Sequence, residues 1–66
     1  MDENKLKTAR TNAGVTQQQL ADASGVNIRQ IRRVELGTSE AGNMSARNLL
    51  SIADILEVDP RKLIEK

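Results

Sequence analysis

Apolar residues recur along the chain at three- and four-residue spacings, a period that predicts an all-α fold. Leu6, Ala9 and Ala13 share one stripe of a helix expected over 3–13, with Gly14 as its stop. Leu20 and Ala21 mark the packed side of a second helix over 17–23, and Ile31 and Val34 that of a third over 28–35, ending near Gly37. A loop with two glycines and one acid, GTSEAGNM, fills 37–44. The fourth helix, 46–56, is the most apolar: Leu49, Ile52, Ala53 and Leu56 form its stripe, with Leu50 and Ile55 off the centre. A fifth helix is expected over 60–65, packed through Leu63, so the chain reads as one compact five-helix domain over 1–66.

The helix starts share one grammar. Thr16 with Gln19, and Asn27 with Gln30, have capping-box spacing, in which the N-cap side chain accepts from the N3 amide and the N3 side chain reaches back. Each start also has a staple pair, Val15 with Leu20 and Val26 with Ile31. Met44, Ser45 and Leu49 repeat the pattern, and Val58, Asp59, Pro60 and Leu63 vary it with proline at N1. Met1, Asp2 and Leu6 read as a frayed further example. Between the second and third helices, Ser24-Gly25 supplies a glycine where the chain must leave a helix at positive φ. Two short helices across such a turn have the spacing of a helix-turn-helix.

Composition narrows the function classes. A chain of 66 residues buries roughly 60% of its unfolded surface, which supports a stability of only a few kcal/mol. With no Cys, His, Trp, Tyr or Phe, the core must be built from Leu, Ile, Val, Met and Ala. The missing His and Cys also remove the usual acid–base and nucleophilic groups near neutral pH. The serines have no evident base, the carboxylates are scattered, and no glycine-rich phosphate loop is present, so neither an enzyme nor a metal or cofactor site is expected. No apolar run approaches the ~20 residues that span a bilayer, and no signal peptide is visible. A cytoplasmic domain with no membrane partner is the expectation.

The net charge of +1 conceals a split. Lys5 to Arg33 holds six basic residues against one acid, Asp22, whereas the remainder holds four against eight. Such a footprint draws a polyanion to one face. At 3.6 residues per turn, Arg29, Arg32 and Arg33 fall opposite Ile31 and Val34, with Ile28 at the N-terminal lip. Adjacent like charges on one arc repel by a few tenths of a kcal/mol per pair, and no acid relieves them before Glu35. Arg10, on the apolar stripe of the first helix, either snorkels at the core edge or pairs with Glu35.

The run GVTQQQLADASGVNIRQIRRVELG resembles the Cro/repressor (XRE-type) helix-turn-helix family, with Gly14, Thr16, Gln17, Leu20, Ala21, Gly25, Val26, Ile31, Val34, Glu35 and Gly37 in the expected slots. The tail LLSIADILEVDPRKLIE resembles the family's closing pair of helices, so the likeness runs from about Lys5 to Glu65. It implies a lambda-repressor-like fold and a bacterial or phage origin. It also implies that Gln17 clamps a phosphate at the second helix's N-terminus, where the dipole favours an anion. Asn27, Ile28, Arg29 and Arg33 match base-facing positions, and Arg32 beside them can serve base or phosphate. Arg10 and Glu35 match a structural ion pair of some members. The loop departs from the family: it is longer and carries Glu40 where many members are basic. Phosphate contacts there fall to amides around Gly42 and Asn43 and to Ser45 or Arg47.

The leading expectation is sequence-specific binding of double-stranded DNA by a transcriptional regulator of repressor type, with the third helix in the major groove. Asn27, Ile28, Arg29, Arg32 and Arg33 read bases, while Thr16, Gln17, Gln18, Asn43, Ser45 and Arg47 hold phosphates. One such module buries little surface, which suggests a homodimer on two half-sites, with Leu50, Ile55, Pro60 and Arg61 as the dimer surface. The rival reading is a protein-interaction module, such as an antitoxin-like partner using the fourth-helix face.

Overall fold

The computed structural model describes residues 4–64, and these form an all-helical fold. Four α-helices run Lys5–Asn12 (α1), Gln17–Ser24 (α2), Ile28–Leu36 (α3) and Ala46–Leu56 (α4). Two 3-10 helices, Ala41–Asn43 and Pro60–Leu63, precede and follow α4. No helix among them is long and apolar enough to cross a membrane.

Side chains close the helix starts. Asn4, not a residue further upstream, caps α1: its Oδ1 accepts from the Lys7 amide at 3.0 Å, and its Nδ2 donates to the Val34 carbonyl at 2.6 Å, tying the start of α1 to α3. The expected helix start at residue 3, and the Met1 and Asp2 side of the proposed staple, lie outside the described residues. Thr16 and Gln19 form a complete capping box on α2. Gly25 closes α2 at φ 76°, a left-handed conformation that glycine adopts without a Cβ clash. Asn27 caps α3, but not as the first half of a box: its Oδ1 accepts from the N2 amide of Arg29 at 2.8 Å, and the Gln30 side chain is engaged elsewhere. Ser45 caps α4 through the Asn48 amide at 3.2 Å.

The fifth element is a correction. Pro60–Leu63 is a 3-10 turn, not an α-helix, and the expected extension to residue 65 passes beyond the described residues. Asp59 Oδ1 takes the Arg61 amide at 2.9 Å, while the Lys62 amide bonds the Asp59 carbonyl at 2.8 Å and the Ile64 amide bonds the Arg61 carbonyl at 3.3 Å, both with the tighter i to i+3 spacing.

Each α-helix contributes one fully buried branched aliphatic: Leu6, Leu20, Ile31 and Ile52. Burying such a side chain stabilises the fold by about 1.5–3 kcal/mol. Ala21, Val26, Val34, Ala41, Met44, Ala53, Leu56 and Leu63 complete one continuous core, with Ala9, Val15, Ile28, Leu49 and Val58 packed at its edge. α2 packs against both α3 and α4, while α1 packs against α3 and the C-terminal turn. α3 thus has a buried Ile31–Val34 side and an opposite side turned to solvent.

Candidate nucleic-acid interface

The solvent side of α3 carries Arg29, Arg32 and Arg33, all exposed. Among the described residues the carboxylates in ion-pair reach of a base are Glu35, held by Arg10, and Asp59, held by Arg61, so no acid neutralises this arc. Leu36, 78% exposed, lies four residues after Arg32 and three after Arg33, on the same face. The wheel that places the arginines also places Leu36, an apolar residue with no charge to single it out along the chain. Asn27 stands exposed at the head of the helix with its Oδ1 committed to the cap. Ile28 is half-buried against the core, so only part of it faces outward.

Two edges of this face are braced from below. On one, the Glu35 carboxylate accepts from Arg10 Nε at 2.7 Å, Arg10 Nη2 at 3.0 Å and Gln17 Nε2 at 3.0 Å. Arg10 Nη1 donates to the Val15 carbonyl at 2.8 Å. The Arg10 and Glu35 side chains are 12% and 4% exposed, so the ion pair is largely withdrawn from water. Burial pushes the Glu35 carboxyl up, but the hydrogen bonds from Arg10 and Gln17 outweigh it and hold the group below its ordinary range. The hydrogen bond to Glu35 raises Arg10 against a smaller opposing effect of burial. Both groups are therefore charged at neutral pH.

On the other edge, Asn48 in the first turn of α4 donates through Nδ2 to Gln30 Oε1 at 3.3 Å. Neither Gln30 nor Asn48 stands out in the sequence as a site residue; the capping spacing at each was the only signal.

The residues expected to meet phosphate are spread over three elements. Thr16 and Gln17 open α2, and Gln17 has one amide proton on Glu35 and a second to spare. Gln18 Nε2 donates to Asp22 Oδ1 at 2.9 Å within the same helix. Ser45 and Arg47, both exposed, open α4. Asn43, also exposed, ends the first 3-10 turn, whose Glu40 lies just before it. The N-termini of α2 and α4, positive by virtue of their dipoles, are thus linked to opposite edges of α3 by Gln17–Glu35 and Asn48–Gln30.

Leu50 and Ile55 are 55% and 37% exposed on α4. Pro60 is half-buried, and Arg61 is committed to its own turn through Asp59, with Nη2 3.2 Å from Oδ2. Among the described residues no group of His, Cys, Asp or Glu is arranged to hold a metal ion.

A family model described as Helix-turn-helix matches residues 6–63, which spans α1 through the C-terminal 3-10 turn. No curated protein matches the chain.

Proposed function

The chain belongs to the XRE-type helix-turn-helix family, a family of DNA-binding regulators, and from that premise we propose that it is a repressor reading specific duplex sequences with α3 in the major groove. The observation that carries the reading is the arc of Arg29, Arg32 and Arg33, without a carboxylate partner among the described residues and flanked by two helix N-termini. Guanidinium groups on such an arc suit the paired acceptors O6 and N7 of guanine, a contact worth about 1–3 kcal/mol of discrimination. Arg29 and Arg33 take this role, and Arg32 serves base or phosphate. Asn27 through its Nδ2, and the outward part of Ile28, complete the base-facing set, Ile28 against a thymine methyl. Thr16, Gln17, Gln18, Asn43, Ser45 and Arg47 hold backbone phosphates and set the register.

The test is titration of a duplex, selected from random DNA, at several salt concentrations. Each neutralised phosphate contributes about −0.9 to the slope of log affinity against log salt. A steep wild-type slope is expected, with Arg29→Ala weakened on the selected duplex and relaxed in sequence preference. A slope near zero, or an Arg29→Ala protein indistinguishable from wild type on every sequence, sinks the reading.

The exposure of Leu50 and Ile55 supports a second element of the proposal, self-association or capture of a protein partner through α4. Pro60 joins that surface, whereas Arg61, paired with Asp59, is a weaker member. Sedimentation of wild type and Leu50→Glu on the selected duplex separates the two. Two protomers per duplex for wild type and one for the variant are expected; one for both refutes the dimer.

A further inference from the structure

Three helices begin with an N-cap followed three residues later by an amide side chain: Thr16 with Gln19, Asn27 with Gln30, and Ser45 with Asn48. In α2 the box closes, with Gln19 Oε1 accepting from the Thr16 amide at 2.8 Å. In α3 and α4 the second half is not made. Gln30 and Asn48 turn from their own caps and bond each other across 18 residues of chain. A reciprocal cap joins groups already on one turn, so it needs little extra ordering. A bond between two helices forms only where packing fixes both ends. Among the described residues it is also the one side-chain hydrogen bond between α3 and α4.

The placement of the pair is informative. On the α3 wheel, Glu35 and Gln30 lie on opposite sides of the Ile31–Val34 stripe. Glu35 is three residues from Arg32, and Gln30 is three residues from Arg33. Gln17–Glu35 therefore braces the Arg32 edge to α2, and Asn48–Gln30 braces the Arg33 edge to the first turn of α4, which carries Arg47 and follows the Ser45 cap.

We propose that Gln30 and Asn48 are positioning residues of the DNA interface, fixing the distance between Arg33 and the phosphate-holding start of α4. This rests on the DNA reading above. Base readout depends on a register set by phosphate contacts. An arginine whose distance to its phosphate anchor varies can settle on base or backbone, and discrimination falls. With the amide pair made, Arg33 is presented at one distance from Ser45 and Arg47.

The experiment uses a duplex selected from random DNA by the wild-type protein, together with all its single-base variants, over a range of salt. Gln30→Met keeps side-chain length and helix preference but loses the acceptor, and Asn48→Ala loses the donor. Each single variant is expected to lose about 5- to 10-fold in affinity for the selected duplex, the scale of one hydrogen bond. Its salt slope is expected to flatten by about 0.9, one phosphate contact. Discrimination should contract at one contiguous group of base pairs, and the double variant should be no worse than either single. The exchanged pair, Gln30→Asn with Asn48→Gln, retains the summed side-chain length and is expected to recover slope and discrimination. Thermal midpoints without DNA, measured on every protein, should stay within a few degrees of wild type. Variants within twofold of wild type in affinity, slope and discrimination overturn the proposal, as does a double variant whose loss is the product of the singles. A wild-type slope near zero, read before any variant, overturns the DNA reading itself and this inference with it.

Discussion

Replacing Glu35 by alanine removes the acceptor on which three helices converge. The carboxylate takes two hydrogen bonds from Arg10 and one from Gln17. In Glu35→Ala the Arg10 guanidinium keeps only the Val15 carbonyl, inside a side chain that is 12% exposed, and Gln17 loses its acceptor. Removing one partner of a buried pair costs about 3–5 kcal/mol. Arg10 sits at the edge of the core, where its head group can reach water by a small rotation, so about 2–4 kcal/mol is expected here. A domain of this size has roughly 3–10 kcal/mol in total, so the loss removes a large fraction of its stability. Replacing both partners, Arg10→Met with Glu35→Leu, leaves no stranded charge and should fall within about 1 kcal/mol of wild type. Urea unfolding followed by far-ultraviolet circular dichroism reads both. With a slope near 1 kcal/mol per molar, the single variant's midpoint should drop by about 2–4 M. A loss under about 1 kcal/mol in Glu35→Ala, or a double variant as unstable as the two single variants combined, would refute the view that the network acts as one unit.

Two further outcomes follow from the same geometry. Because the folded protein holds Glu35 below its ordinary value of 4.5, the contribution of its ionised form is complete at neutral pH and is lost as pH falls below that value toward the folded pKa. Asp59, lowered chiefly by its hydrogen bond from Arg61, acts in the same direction. The stability gap between wild type and Glu35→Gln should therefore shrink on acidification, and thermal melts showing a constant gap down to about pH 3 would contradict this. At the end of α4, Glu57 sits at φ 58° and ψ 44°, the left-handed position that helix ends usually give to glycine. Glu57→Gly should stabilise the fold by about 0.5–1 kcal/mol, since relief of the Cβ strain exceeds the added chain entropy. The expected sign is a thermal midpoint higher by about 2–8 °C, and a lower midpoint would show that Glu57 makes a contribution the strain argument omits.

The four α-helices, the caps of α2 and α4 and the core stripes were legible along the chain because the interactions that set them are local. A cap such as Thr16 or Ser45 bonds an amide three residues away, and the Ile31–Val34 stripe follows from helical period alone. The arginine arc was legible for the same reason: once Ile31 faces the core, Arg29, Arg32 and Arg33 must face away. Where two partners of similar worth compete for one side chain, the sequence could not choose. Gln30 has the spacing to return to its own cap, yet it bonds Asn48, because α4 lies within reach and each alternative is worth only about 1 kcal/mol. Arg10 had two readings until the packing of α1 on α3 placed Glu35 within 2.7 Å. The last element carried helix signals but held only a 3-10 turn, in which the Lys62 amide bonds the Asp59 carbonyl at the i to i+3 spacing. Local chemistry thus determined the four α-helices and the faces they bury. Only the assembled core decided which polar side chains meet, because those meetings depend on distances between helices that no spacing along the chain encodes.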